Sequence, residues 1–122
     1  FERAHIIWSQ ALMKDNKVYL LHIRDAIHQI QDYTGKGEKA FFDTRQIQDA
    51  VVRNFEIMGE AAKNISDEMR AQYPDIPWKQ MAGMRDKMIH EYFGINLDLV
   101  WDAVKNQLPE LLKKIEKILE TH

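Results

Sequence analysis

Apolar residues recur three or four positions apart along most of this 122-residue chain, with polar residues between them. That spacing matches an α-helical turn of about 3.6 residues, and no segment shows the two-residue alternation of a half-buried strand. The sequence therefore predicts an all-α protein, an antiparallel bundle of four main helices with one short extra helical turn.

Caps, glycines and prolines set the limits of the predicted elements. They are a helix over 16–33, a helix over 43–65 with Asp43 as N-cap, a short turn from residue 66, a helix over 77–93, and a last helix that starts after Asn96 and is kinked or split by Pro109. Met13 and the polar residues after it read as a natural start. We therefore interpret residues 1–12 as an added or atypical N-terminal leader and residues 13–122 as one helical domain.

A buried arginine is expected in the helix predicted over 77–93. Arg85 falls near the middle of its apolar face, where an unpaired guanidinium would cost several kcal/mol, so a protein acceptor or a ligand anion must face it. Asn54 interrupts the apolar face of the second long helix, and its amide oxygen can accept from a guanidinium. We expect Asn54 and Arg85 to face a common interior or a groove between two copies. A buried pair that only fixes helix register is the structural alternative.

An imidazole and a phenol follow Arg85 within seven residues. Tyr92 shares the face of Arg85, whereas His90 lies about 140° around the same predicted helix. Asp86 can hold the His90 imidazole and fix its tautomer. On one straight helix Arg85 and His90 do not converge, so a shared site needs a bend near Gly94, an arginine that wraps around the helix, or two copies of the protein.

These side chains suit cleavage of a phosphodiester. Histidine titrates near neutrality, so His90 can act as base or acid, worth about 10²–10⁴ in rate. Arg85 stays protonated and can clamp a phosphate, while Tyr92 can orient that phosphate or stack a base. The sequence has no cysteine and no H-E-x-x-H motif, and it predicts neither a metal site nor a cofactor.

Two motifs carry a family resemblance. Arg85, His90 and Tyr92 form R-x-x-x-x-H-x-Y, and the segment over 53–61 reads R-N-x-E-x-x-G-E-A. With both in order, residues 13 to 120 resemble the HepT-like toxins of the HEPN superfamily. The resemblance implies a metal-independent endoribonuclease, the toxin of a type II toxin–antitoxin module. It also implies a homodimer whose two catalytic helices line one cleft, and a minimal nucleotidyltransferase antitoxin that attaches AMP to Tyr92.

The second motif contains further charged residues. Glu56 and Glu60 lie one helical turn apart on the polar side of their predicted helix, where a solvated face or pairing with Arg53 and Lys63 is favoured over catalysis. Because the resemblance covers Arg53, Glu56 and Glu60, we keep them as groups that support the catalytic residues or bind a partner. His22 and other histidines outside the motif are interpreted as surface residues.

Composition limits how the protein can contact RNA and in which compartment it is expected. The net charge of -2 and pI near 6.2 argue against a broad nucleic-acid footprint, so RNA contact should be local. Zero cysteines fit a reducing compartment, and no apolar run approaches the roughly 20 residues of a membrane span. A cytoplasmic protein with no membrane contact is expected.

Three functions stay open from the residues alone. In the first, Arg85, His90 and Tyr92 form a ribonuclease cleft that acts on messenger or transfer RNA. In the second, the same groove binds a nucleotide or RNA without cleaving it. In the third, the helical protein only docks a nucleotidyltransferase and Arg85 is structural. Cleavage activity distinguishes the first from the other two.

Overall fold

Helices make up nearly all of the described chain. The computed structural model describes residues 2–90 and 94–121, with residues 2–14, Arg85, Ile89 and His90 described by their backbone only. The elements in chain order are α1 Glu2–Tyr33, α2 Glu38–Asp43, α3 Arg45–Lys63, α4 Asp67–Gln72, α5 Trp78–Ala82, α6 Met84–Met88, β1 Ile89–His90, β2 Gly94–Ile95, α7 Leu97–Asp102, a π-helical turn Ala103–Gln107, and α8 Leu108–Thr121. The predicted all-α class is confirmed.

The core lies where α1 meets α3 and α8. Helix α1 buries one face at three- and four-residue spacing, and α3 and α8 do the same. The fully buried aliphatic, aromatic and methionine side chains of these three helices include Leu20, Ile23, Ile27, Ile30, Val51, Phe55, Met58, Leu108 and Ile115. Each contributes roughly 1.5–3 kcal/mol by leaving water, so the faces that the hydrophobic spacing predicts are also those that hold the helices together.

Helix α2 was not predicted, and it changes the start of α3. Asp43 ends α2 and is not the N-cap of α3, because Thr44 occupies that position. Phe41 is fully buried on α2, and its ring centroid lies 5.3 Å from that of Trp101. The Gln48 side chain donates from Nε2 to the Phe41 carbonyl at 3.0 Å. A helix of six residues shows too little periodicity to be recognised from sequence.

Asn16 ties α1 to the start of α4. It is 5% exposed, donates from Nδ2 to Ser66 Oγ at 2.9 Å, and accepts the Ser66 backbone N–H at Oδ1 at 2.9 Å. Ser66 in turn is the N-cap of α4 and accepts from the Met69 backbone N–H. Both the amide nitrogen and the amide oxygen of the buried asparagine therefore have hydrogen-bond partners. These bonds fix the first turn of α4 relative to α1.

The last helical run begins after the predicted N-cap, Asn96, and its regular α-helical geometry is interrupted just before Pro109. Asn96 is the N-cap of α7, with its side-chain oxygen accepting from the Leu99 backbone N–H at 3.1 Å. Pro109 has no N–H to donate to the Lys105 carbonyl, and the backbone widens into a π-helical turn over Ala103–Gln107 just before it. The predicted interruption is therefore a wider turn and not a break.

The fold does not confirm two expectations from the sequence, the number of main helices and the added N-terminal leader. The count of four main helices is not confirmed, because the helix predicted over 77–93 is divided. Residues 2–12 form the first turns of α1, and their interpretation as an added leader stays a prediction. Within residues 2–90 and 94–121, no helix combines the length and the apolar character that crossing a membrane requires.

Candidate functional site

The segment that carries the candidate catalytic residues is not one helix. Helix α5 ends at Ala82, and Gly83 caps it by donating its backbone N–H to the Lys79 carbonyl at 3.0 Å. Helix α6 then ends at Met88, so the prediction of a helix through residue 93 is wrong. Glycine costs about 1 kcal/mol relative to alanine inside a helix, and the apolar spacing continues across Gly83, which hides the break from periodicity.

A short antiparallel hairpin replaces the predicted end of the helix. Ile89 pairs with Ile95, and His90 pairs with Gly94. Gly94 has φ 78°, a left-handed conformation that glycine adopts without steric penalty. The backbone at His90 is therefore extended and no longer helical.

This change removes the geometric objection to a joint site. Arg85 lies on α6 and His90 on β1, so the separation of about 140° expected for one straight helix does not apply. The side chains of Arg85 and His90, and all of Tyr92, lie outside the described part of the structure. Their joint action stays a prediction, and helical geometry no longer argues against it.

Asp86 and Asn54, which were expected to support the catalytic residues, lie on α6 and α3. Asp86 is exposed on α6, next to Arg85 in sequence. Asn54 is half-buried on α3 and donates from Nδ2 to the Ala50 carbonyl of its own helix at 2.9 Å. Because α3 and α6 are in contact, the expected meeting of Asn54 and Arg85 is compatible with the backbone, and it stays a prediction.

Gly59 lets α3 lie directly against α5. A Cβ atom at Gly59 would come within 2.9 Å of the Met81 carbonyl oxygen, closer than ordinary contacts allow. The glycine of the R-N-x-E-x-x-G-E-A segment therefore has a physical role, since it permits two helix backbones to touch. Arg85 follows Met81 by four residues, so this contact holds α5, the helix just before the one that carries Arg85, against α3.

The charged residues of α3 line a groove that the sequence did not reveal. We call it the α1–α3 groove, a cavity of about 470 Å³ whose lining includes Tyr19 and His22 from α1 and Arg53, Glu56, Glu60 and Asn64 from α3. Arg53 Nη1 lies 3.4 Å from Glu56 Oε2, so the pairing of these two residues, one of those expected, is confirmed. The sequence analysis did not identify Tyr19 as a groove residue. The residues next to it in sequence do not show that it faces side chains about 40 positions later.

The described residues offer no cluster of metal ligands. Across the part of the chain that the structure describes, no three histidine, aspartate or glutamate side chains lie close enough together to hold an ion. The described polar groups of the site can instead donate and accept hydrogen bonds, through one arginine, two glutamates and two aromatic residues. Such a set can bind and orient a polar organic ligand.

Comparison with known proteins gives a consistent picture. A family model described as "Ribonuclease HepT-like" matches residues 23–118. A "Probable ribonuclease HepT" of Thermococcus cleftensis is 41% identical over 108 residues, which cover 88% of this chain and 98% of that protein. A "Gamma-glutamylcyclotransferase and putative RNase" of Methanocaldococcus jannaschii is 48% identical over 110 residues, 89% of this chain, and the match spans only 50% of that longer protein. No solved structure matches the chain.

Proposed function

Because the chain belongs to the HepT-like ribonuclease family, we propose that it is an endoribonuclease that cleaves RNA without a metal ion. The family match over residues 23–118 carries the proposal, because it includes Arg85, His90 and Tyr92 in their motif order. Messenger or transfer RNA as substrate would place the protein in the cytoplasm.

The proposed reaction uses the RNA's own 2'-hydroxyl as nucleophile. His90 removes the proton of that hydroxyl, and a bond forms between the 2'-oxygen and phosphorus while the bond to the 5'-oxygen breaks. The leaving 5'-oxygen takes up a proton from water, so the products are a 2',3'-cyclic phosphate and a 5'-hydroxyl, and His90 later releases its proton to solvent. Arg85 stabilises the charge on the phosphate oxygens, and Tyr92 orients the phosphate or stacks a neighbouring base.

A cleavage assay in chelator tests this function. The parent protein should cut a labelled RNA, and His90→Ala should lose about 10² or more in rate, because the general base is gone. Arg85→Ala should also be impaired. Lys87→Ala, an exposed residue of the same helix α6, is the matched control and should cut as the parent does. If the parent fails to cut while Tyr92 is unmodified, the binding or docking alternative replaces this proposal.

We propose further that two copies of the chain complete one site. The support is the family resemblance, because the placement of Arg85 on α6 and His90 on β1 is equally compatible with a site within one copy. Mixing inactive Arg85→Ala and His90→Ala proteins tests it. If one copy supplies Arg85 and the other His90, random pairing should restore about one quarter of the parent activity. No restored activity would mean that each site lies within one copy or that the two copies do not pair.

The same resemblance supports regulation by a minimal nucleotidyltransferase antitoxin, with this chain as the toxin of the module. The Tyr92 oxygen would attack the α-phosphorus of ATP, forming a phosphodiester to AMP and releasing pyrophosphate. The added nucleotide would bring bulk and negative charge to a place where an RNA phosphate must bind. Tyr92→Phe should then stay active beside the partner enzyme and ATP, whereas the parent is silenced. Equal silencing of both proteins would indicate inhibition by complex formation.

A further inference from the structure

We propose that the α1–α3 groove binds a guanine base of the RNA and thereby selects the position of cleavage, an inference that rests on the proposed function. The groove has a volume of about 470 Å³, within the range of roughly 300–1,000 Å³ typical of small-ligand sites. It combines two aromatic rings, two carboxylates and one guanidinium. That combination suits a nucleotide better than it suits a purely apolar ligand.

One wall of the groove is aromatic. Tyr19 and His22 stand three residues apart on α1, with ring centroids 6.2 Å apart and planes at 83°. Tyr19 is half-buried, so its ring is held against the protein while part of it remains open to the groove. Unpaired RNA bases commonly stack on tyrosine and histidine rings, and stacking alone accepts any base. Selectivity must therefore come from the opposite wall.

The opposite wall presents a carboxylate that is available as an acceptor. Glu60 is exposed in the groove, and within residues 2–90 and 94–121 its carboxylate forms no hydrogen bond or ion pair. Glu56, one turn earlier, is engaged by Arg53 at 3.4 Å. Glu60 is thus the carboxylate of the pair that can accept from a ligand without first giving up Arg53.

Guanine is the base that matches an ionised carboxylate. Its Watson–Crick edge carries two adjacent donors, N1–H and the N2 amino group, which can bond to both carboxylate oxygens at once. Adenine and cytosine place an acceptor nitrogen beside their amino group, and uracil places carbonyl oxygens on both sides of its single N–H. Those acceptors would face the negative oxygens of Glu60 and be repelled.

The groove and the segment that carries the catalytic candidates lie on different sides of α3, at the same level along that helix. Gly59 adjoins Glu60 and meets the Met81 carbonyl of α5, four residues before Arg85. Arg53 Nη1, on a side chain that is 70% exposed, supplies a cation on the same face of α3 for a phosphate of the bound nucleotide. An RNA strand whose guanine is held by Glu60 would therefore have to cross α3, a helix about 10 Å wide, to reach α6.

Binding of mononucleotides tests the groove independently of cleavage. The isotope-labelled protein is titrated with 5'-GMP, 5'-AMP, 5'-CMP and 5'-UMP, and backbone amide shifts are followed by NMR. We expect GMP to bind at least ten-fold more tightly than the others, with shifts at Tyr19, His22 and Glu60. Glu60→Gln should reduce that preference at least five-fold, because its amide nitrogen would face a guanine donor. Glu68→Gln, an exposed glutamate on α4, is the matched control and should behave as the parent.

Cleavage of an oligonucleotide containing all four bases separates this proposal from the proposed function. Cuts at a fixed distance from guanine in the parent that lose this base preference in Glu60→Gln support the groove as the specificity site. Cuts by both proteins with the same base preference overturn the groove proposal and leave the ribonuclease intact. GMP selectivity without any cleavage by the parent supports the groove and contradicts the ribonuclease. Equal binding of all four nucleotides overturns the guanine assignment.

Discussion

Replacing Gly59 by alanine should weaken the contact on which α5 and α6 rest. The added Cβ would lie 2.9 Å from the Met81 carbonyl oxygen and 3.6 Å from that of Ala82. Ordinary contact begins near 3.4 Å, so the backbones of α3 and α5 must separate by about 0.5 Å. Both partners are backbone atoms in helices, and neither can rotate away as a flexible side chain would.

The size of the effect follows from two opposing contributions. Overpacking of a tight contact costs about 1–3 kcal/mol, whereas alanine favours the helix by about 1 kcal/mol over glycine. The free energy of unfolding of Gly59→Ala should therefore fall by about 1 kcal/mol, and by 2 kcal/mol at most. Urea unfolding followed by circular dichroism measures it, as a lower midpoint with an unchanged slope.

Gly83→Ala is the matched control. Its Cβ would meet no atom closer than the Lys79 carbonyl oxygen at 3.6 Å, and its φ of -91° suits alanine. The unfolding free energy should change by no more than about 0.5 kcal/mol. If Gly59→Ala proves more stable than the parent, then α3 and α5 do not approach as closely as the structure shows and the reasoning is refuted.

Three further predictions use other contacts. Asn16→Ala should lower the unfolding free energy by about 2–3 kcal/mol, because it removes two buried hydrogen bonds to Ser66. The control Asn64→Ala loses one exposed hydrogen bond and should cost under about 0.5 kcal/mol. Equal losses for the two variants in urea unfolding would contradict this prediction. Asn96→Ala should cost about 1 kcal/mol in the same assay through loss of the α7 cap, and no change would speak against that cap. Arg85→Lys should cut RNA at least about ten-fold more slowly, because an ammonium cannot form the bidentate contact; a parent-like rate would argue against a bidentate clamp.

The long helices could be read from the sequence because their signals are local and repeated. The buried face of α1 follows directly from the spacing of Leu20, Ile23, Ile27 and Ile30. Ser66 and Asn96 were recognisable as starting points, since an N-cap bonds to a backbone N–H only three residues away. Features of this kind depend on a few neighbouring residues and need no knowledge of the rest of the fold.

The remaining features depend on tertiary packing. The division at Gly83 of the helix predicted over 77–93, and the hairpin that pairs His90 with Gly94, arise in a segment whose apolar spacing still resembles a helix. The α1–α3 groove joins Tyr19 to Glu60 across some 40 residues. The sequence was therefore enough to identify the candidate catalytic residues, but not the helix break and the hairpin on which they lie.

The measurement that tests the central claim most directly is the identity of the RNA ends left by the protein in the presence of chelator. The proposed mechanism predicts fragments that end in 2',3'-cyclic phosphate and begin with a 5'-hydroxyl, from the parent and not from His90→Ala. Intact RNA with an unmodified Tyr92, fragments that carry 5'-phosphates, or cleavage that only added metal ions restore would contradict it.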